Sequence, residues 1–379
     1  MKRILIDFAG IGDLVMLIPL LRKLAEDASV DLVTRPWGPG ALAGQSYLRN
    51  VYGLAHPNRG KAGLSRALFG GHRRALGRVL AAEGYDEVFT FVQERPVITD
   101  WVRSWSNGAI LRVMNYPEKQ ADRIAVGLRS QGFAAETAES CPRLDVPPER
   151  LAMARERVKR LGDRVVGVQV GSGPINHPLK RRPDVKGLPP ERMAGLVSHI
   201  LSQNEADAVV FTGTARERNR IMGVIGNVDP SVRDRAHDWS GQFKLSDVGA
   251  YLRAMYAFIS VDTGPAHMAA AVGCPLLVFF GPSDPTAYAM RGPGDVEVVE
   301  GHAPCQYCAG TPRFRHCEDN RCMKSIGPEQ AIAGWQKLTS QLGARGAPPA
   351  NLSPPMTADW VMDTIGSVAA CACGEGGQV

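Results

Sequence analysis

Residues 256–285, YAFISVDTGPAHMAAAVGCPLLVFFGPSDP, restrict what this chain can fold into more than any other stretch. Ala257 to Val261 is an unbroken apolar run ending on Asp262, the pattern of a strand buried on both faces of a parallel sheet. Thr263 is placed to cap, Gly264 to turn the backbone, and Pro265 to sit in a first helical turn, where its missing N–H costs nothing. A short alanine-rich helix and a second apolar run, PLLVFF, complete a βαβ unit. Such a unit leaves a helix N-terminus at the carboxyl end of a parallel strand, where N–H groups and the positive end of the dipole attract anions. His267 adds a third polar group to Asp262 and Thr263 at that mouth. An ordinary βαβ protein could use the same residues as a well-capped turn and nothing more.

The segment DTGPAHMAAAVGCPLLVFFGPSDP resembles the signature of glycosyltransferase family 9, the ADP-heptose:lipopolysaccharide heptosyltransferases, whose members read close to DSGPMHLAAALGxPxxALFGPTDP. The resemblance implies an α/β chain of GT-B fold, with two Rossmann-like doubly wound domains facing a central cleft. The N-terminal half would receive the acceptor and the C-terminal half the nucleotide sugar. The 379 residues suffice for two such cores, and 44% hydrophobic with 22% charged residues is the balance of a soluble globular protein. The expected domains are 1–145 and 146–343, the second carrying a four-cysteine segment at 305–322. Residues 344–379 are expected to be a linker, a crossing helix and a disordered tail.

The opening MKRILIDFAGIGDLVMLIPLL is not read as a signal peptide, because Asp7 and Asp13 interrupt its apolar region, and Leu14 to Leu21 is too short to span a membrane. A cytoplasmic protein with at most peripheral membrane contact is expected. A net charge of +6 favours anionic partners such as nucleotide diphosphates or phosphorylated glycans. The basic residues are spread out with no aromatic-interleaved motif, which argues against nucleic acid.

Lys2 to Phe8 reads as a first strand, followed by AGIGD and a helical run from about Leu14 to Asp27. After Gly10 and Gly12 the chain places Asp13 where a dinucleotide fingerprint would continue, so a pyrophosphate there would meet a carboxylate. On the residues alone Asp13 could equally be a helix cap. GIGDLVMLIPLLRKL resembles the family's GDLVLxTPLLRxL, which implies that Asp13 is the catalytic base and places Gly12 at the donor. Pro19 predicts a kink or a shortened helix. Residues 30–35 and 85–92 read as strands, and 59–84 as a basic helical region. Its Arg66, Arg73, Arg74 and Arg78 form either a solvated face or a contact for an anionic acceptor.

RVVGVQVGSGP, residues 164–174, is a strand and a glycine-rich turn whose Gly171 and Ser172 would let a ligand approach the backbone. Gln169 stands where the family often has histidine. HPLKRRPDVKGLPPERMAGLV resembles the family's KxWPxExF segment, which makes Lys186 the matched lysine, with Leu188 in place of tryptophan. Opposite a diphosphate, its ammonium would offset the charge that develops as the bond to the sugar breaks. Residues 206–220 read as a strand, a Thr212–Gly213 turn and a helix bearing Glu217 near its positive end. Resemblance to the family's GGxxE implies that Glu217 holds the ribose hydroxyls. Phe243 is either a core residue or the ring that packs on the base.

Cys305, Cys308, Cys317 and Cys322 lie in CQYCAGTPRFRHCEDNRC, a spacing that favours a tetrahedral zinc or iron site over disulfides. Resemblance to the autotransporter heptosyltransferases, which hold iron in a four-cysteine finger, implies a structural role. No DxD pair is present, so no catalytic metal is expected. MTADWVMDTIGSV, residues 356–368, reads as a last helix, and Cys371 and Cys373 lie in the tail.

The function implied is inverting transfer of heptose from ADP-heptose to an acceptor hydroxyl on lipopolysaccharide core, protein or a small molecule. Asp13 would take the proton, Lys186 and the Thr263, Gly264, Pro265 helix start would stabilise the departing ADP, and Asp262 and His267 would orient the diphosphate or sugar. The alternatives are a UDP-sugar-dependent transferase or epimerase of the same shape, and a noncatalytic nucleotide-sugar-binding module. Asp13, Lys186 and Glu217 together argue against the last.

Overall fold

The structure, a computed structural model, describes residues 1–55, 64–90, 96–113, 141–171, 176–177, 180–181, 184–288 and 290–344. Two parallel sheets organise it. The first contains β1 (Lys2–Ile6), β2 (Ser29–Thr34), β3 (Leu48–Gly53), β4 (Glu87–Thr90) and β5 (Ile110–Val113), in the order β3-β2-β1-β4-β5. The second contains β6 (Val165–Gln169), β9 (Ala208–Thr212), β10 (Ala236–Asp238), β11 (Ala257–Val261), β12 (Leu276–Phe280) and β13 (Val296–Glu300), in the order β10-β9-β6-β11-β12-β13. Between β6 and β9 lies a short antiparallel pair, β7 (Asn176–His177) and β8 (Lys180–Arg181).

Every residue of β6, β9, β11 and β12 is buried, which is why these strands read as continuous apolar runs. The order reverses between β6 and β11, so the crevice of the second sheet opens at the carboxyl ends of those strands. The βαβ unit runs as its sequence predicts: β11, a Gly264–Ala271 helix and β12. That helix stops at Val272, and Gly273 follows at φ +81°, a left-handed conformation suited to glycine.

The run after β1 is two helices, Ile11–Met16 and Ile18–Leu24, rather than one. Leu17 separates them, and Pro19 sits in the first turn of the second with no N–H to offer the preceding turn. The predicted kink is therefore realised as a break. The basic region forms a helix over Leu64–Glu83. Arg74 and Arg78 are exposed there, while the side chain of Arg66 lies outside the described residues.

The halves share apolar packing. Leu14, Val15 and Leu21 from the first join Ala266, Met268 and Leu276 from the second in one cluster. The Leu144 N–H donates to the Ala271 carbonyl at 3.0 Å, pinning the connecting chain to the same helix. The expected last helix at 356–368 and Cys371 and Cys373 lie outside the described residues. Among the described residues no helix is long and apolar enough to cross a membrane.

Candidate active site

Each sheet sends a glycine-bearing turn and a helix start toward the other. The Ile11–Met16 helix begins after β1, the Gly264–Ala271 helix after β11, and the two touch at their N-termini. Neither glycine has room for a side chain. A Cβ on Gly264 would stand 2.7 Å from Ile11 Cβ, and one on Gly12 would stand 2.5 Å from Cδ2 of His267. The signature of one half therefore meets the glycine turn of the other.

Asp13 is in the first turn of its helix, and its Oδ2 accepts the Gly10 N–H at 2.7 Å. The cap and the candidate base are thus one carboxylate, oriented by its own turn. Asp13 also lies close enough to His267 to influence its proton affinity.

Asp262 ends β11, buried, and pairs with Lys186, whose Nζ donates to Oδ2 at 2.5 Å and to the Asp262 carbonyl at 3.4 Å. Burial works to raise the Asp262 pKa, but the charge and hydrogen bond of Lys186 outweigh it and hold the carboxyl below the ordinary carboxylate range. His267 is buried, and that burial pushes its pKa down despite the opposing pull of Asp262 and Asp13. It is a neutral imidazole at neutral pH, able to donate or accept a hydrogen bond but not to supply positive charge. Its Nδ1 has no hydrogen-bond partner among the described residues. Thr263 occupies the N-cap position, yet its hydroxyl pairs with Ser260 at 3.1 Å instead of capping the helix.

A second group gathers at the carboxyl ends of β6 and β9. Glu217 accepts from the Thr214 N–H and hydroxyl, both at 2.8 Å, and from Gln169 Nε2 at 3.2 Å. Thr212 donates to the Val168 carbonyl and to Gln169 Oε1, both at 3.3 Å. Gly213 adopts φ +155°, and a Cβ there would stand 3.1 Å from Glu217 Oε2. The Glu217 carboxylate is thus a turn cap lying against two glycine turns.

Sequence reasoning missed the pair that joins the groups. Asp184, buried, is ion-paired with Arg220, and its Oδ1 accepts the Lys186 N–H at 3.1 Å. A Cβ on Gly171 would meet Arg220 at 2.7 Å and both Asp184 and Glu217 at 3.1 Å. The Asp184 turn therefore links the lysine to the glutamate. An aspartate two residues before Lys186 is a local signal for such an Asx turn. Arg220 has no comparable signal.

Phe243 faces other neighbours. It stacks on Tyr251 at 4.0 Å and meets Trp239 edge-on at 5.6 Å, with the Arg157 guanidinium over the same rings. Ser172 lies outside the described residues.

Among the described residues no group of three or more His, Cys, Asp or Glu is placed to hold a metal ion, so no metal site is shown at Cys305, Cys308, Cys317 and Cys322. The thiols are near enough to affect one another electrostatically. Cys322, however, is turned into an apolar cluster with Met323 and Ile326, where it packs as a small hydrophobe beneath Gly281.

No curated protein matches the sequence. Among solved structures, the chain is similar to E. coli ADP-heptose lipopolysaccharide heptosyltransferase II, at 18% identity and TM-score 0.65, over 90% of this chain and 100% of that one. It is also similar to E. coli heptosyltransferase WaaC with ADP, at 15% and 0.63, over 89% and 100%. A third is the dodecameric iron-containing heptosyltransferase TibC of enterotoxigenic E. coli in complex with ADP-D-beta-D-heptose, at 13% and 0.53, over 90% and 76%. These likenesses show the GT-B fold. Residues 177–316, which include Lys186, Glu217 and the whole signature, match the model of glycosyltransferase family 9 (heptosyltransferase). That segment is therefore similar to glycosyltransferase family 9, and the chain as a whole is built on the GT-B fold.

Proposed function

We propose that this protein moves heptose from ADP-heptose to an acceptor hydroxyl with inversion at the anomeric carbon. Residues 1–145 would form the acceptor domain and 146–343 the donor domain. The observation that carries the reading is the meeting of Asp13 with the Asp262, Lys186 and His267 group where two helix N-termini face each other. A base on one half and a lysine beside a helix N-terminus on the other are what a single displacement needs.

In that displacement Asp13 takes the acceptor proton as the oxygen bonds to the anomeric carbon. The bond from that carbon to the diphosphate oxygen breaks with its electron pair, and ADP leaves. Lys186 and the start of the Gly264–Ala271 helix stabilise the charge that accumulates on the diphosphate. Neutral His267 orients the donor by hydrogen bonding, and Glu217, beside Gly171 and Gly213, takes the ribose hydroxyls. An ADP-sugar is favoured because WaaC was solved with ADP and TibC with ADP-D-beta-D-heptose. The acceptor is lipopolysaccharide core, a protein or a small molecule.

The test is Asp13→Ala, read as ADP release from ADP-heptose with heptose-free lipopolysaccharide core as acceptor. Turnover should fall about 10²- to 10⁴-fold, the worth of a positioned base, while ADP still binds. Normal turnover would remove Asp13 from the mechanism.

A further inference from the structure

The cysteine-bearing segment has no part in the chemistry above, yet it reaches the lysine. Asp184 to Gly187 form a tight turn closed by the Gly187 N–H on the Asp184 carbonyl at 3.1 Å, with Lys186 inside it. Asn320, between Cys317 and Cys322, donates its Nδ2 to both ends of that turn, to the Gly187 carbonyl at 2.9 Å and to the Asp184 carbonyl at 3.2 Å. One amide nitrogen carries two hydrogens, and here both are used to clamp a turn more than 130 residues away in sequence. Other parts of the segment hold the second half of the signature. Gln306 Nε2 donates to the Gly281 carbonyl at 2.9 Å, and the Ala309 N–H donates to the Pro282 carbonyl at 2.9 Å.

The geometry points to Asn320 as a positioning residue for Lys186. It fixes the backbone from which the ammonium reaches Asp262, so that the cation is already in place when the diphosphate arrives. Within the turn, the backbone around Lys186 is held on both sides. Its N–H is held by Asp184 Oδ1, and a Cβ on the next residue, Gly187, would stand 2.9 Å from Asp184 Oδ2 and 3.1 Å from Arg220. Preorganising a charge in this way spares the reorganisation that a mobile lysine would undergo on binding. The cysteine segment thus serves as a strap across the donor side, through Asn320. The consequence for ligand binding rests on the reading of Lys186 as a diphosphate contact; the consequence for the lysine itself does not.

The experiment uses the full chain with Asn320→Ala and, as a same-sized second variant, Asn320→Asp, which replaces the two donors with an acceptor. Acetylation of Lys186 without ligand is followed by mass spectrometry, with exposed Lys244 as the internal reference. Calorimetry with ADP is run on wild type, Lys186→Ala, Asn320→Ala and the double variant. Both Asn320 variants should speed labelling of Lys186 relative to Lys244. Asn320→Ala should weaken ADP by up to about tenfold, with no further weakening in the Lys186→Ala background. Unchanged labelling in both Asn320 variants overturns the positioning role whatever ADP does. Faster labelling with normal ADP affinity in Lys186→Ala upholds the positioning role and removes Lys186 from the diphosphate site.

Discussion

The Gly12 backbone lies against the His267 imidazole so closely that a Cβ would stand 2.5 Å from the ring. The ring is 3% exposed and cannot swing into solvent without opening the contact between the two helix starts. Gly12→Ala should therefore cost about 1–3 kcal/mol of stability by overpacking and lower turnover more than the melting temperature suggests. Parallel melts and initial rates check this, and a variant with full activity would show that the ring position is immaterial.

The Lys186–Asp262 pair is unequal, with side chains 22% and 8% exposed. Lys186→Met leaves the more deeply buried charge alone, so it should destabilise more than Asp262→Asn, by on the order of 3 kcal/mol. Because the two residues share one contact, the double variant should cost less than the sum. Urea titrations of the four proteins measure both statements. Equal single losses that add would contradict a buried pair.

His267 and His237 both have pKa values pushed below 6.5 by burial, with Asp262 and Asp13 opposing at His267 and Asp234 at His237. The unfolded chain takes up these protons first as pH falls through 6.5, so stability is full above that value and declines below it. The melting temperature should fall between about pH 7 and 5, and His267→Asn should flatten part of the slope. A slope identical in the variant would mean that His267 does not titrate differently on folding.

Burial also separates the thiols. The pKa of Cys308 is raised and that of Cys322 is pushed up to about 11, with burial the leading cause for both and the neighbouring cysteines adding to it. Both are buried, whereas Cys305 and Cys317 are half-buried. A thiol reagent at pH 8 should modify Cys305 and Cys317 first. Four equally protected thiols that open together on chelation would instead reveal a metal.

Interior strands were legible and edge strands were not. β1, β2, β4, β6, β9, β11 and β12 are apolar runs buried in the middle of their sheets, and the sequence reading found all of them. In the two large sheets the four it missed, β3, β5, β10 and β13, are the four edges, and it also missed the short β7–β8 pair. LRNVYG, ILRV, AHD and VEVVE mix charge with apolar residues because one side of an edge strand meets no partner strand. The site divides in a similar way. Asp13, Lys186, Glu217 and Asp262 stand in local motifs, whereas Arg220 and Asn320 act only across the fold and leave no local trace. The burial of Cys322 is a tertiary fact that the cysteine spacing does not contain.

The most direct test is thermal stabilisation by a panel of ADP, ADP-heptose, UDP and UDP-sugars, since a ligand that binds the folded state alone raises its apparent stability. ADP should raise the melting temperature, ADP-heptose should raise it further, and Lys186→Ala should blunt both shifts. A response confined to the UDP compounds would contradict the donor and leave only the fold standing.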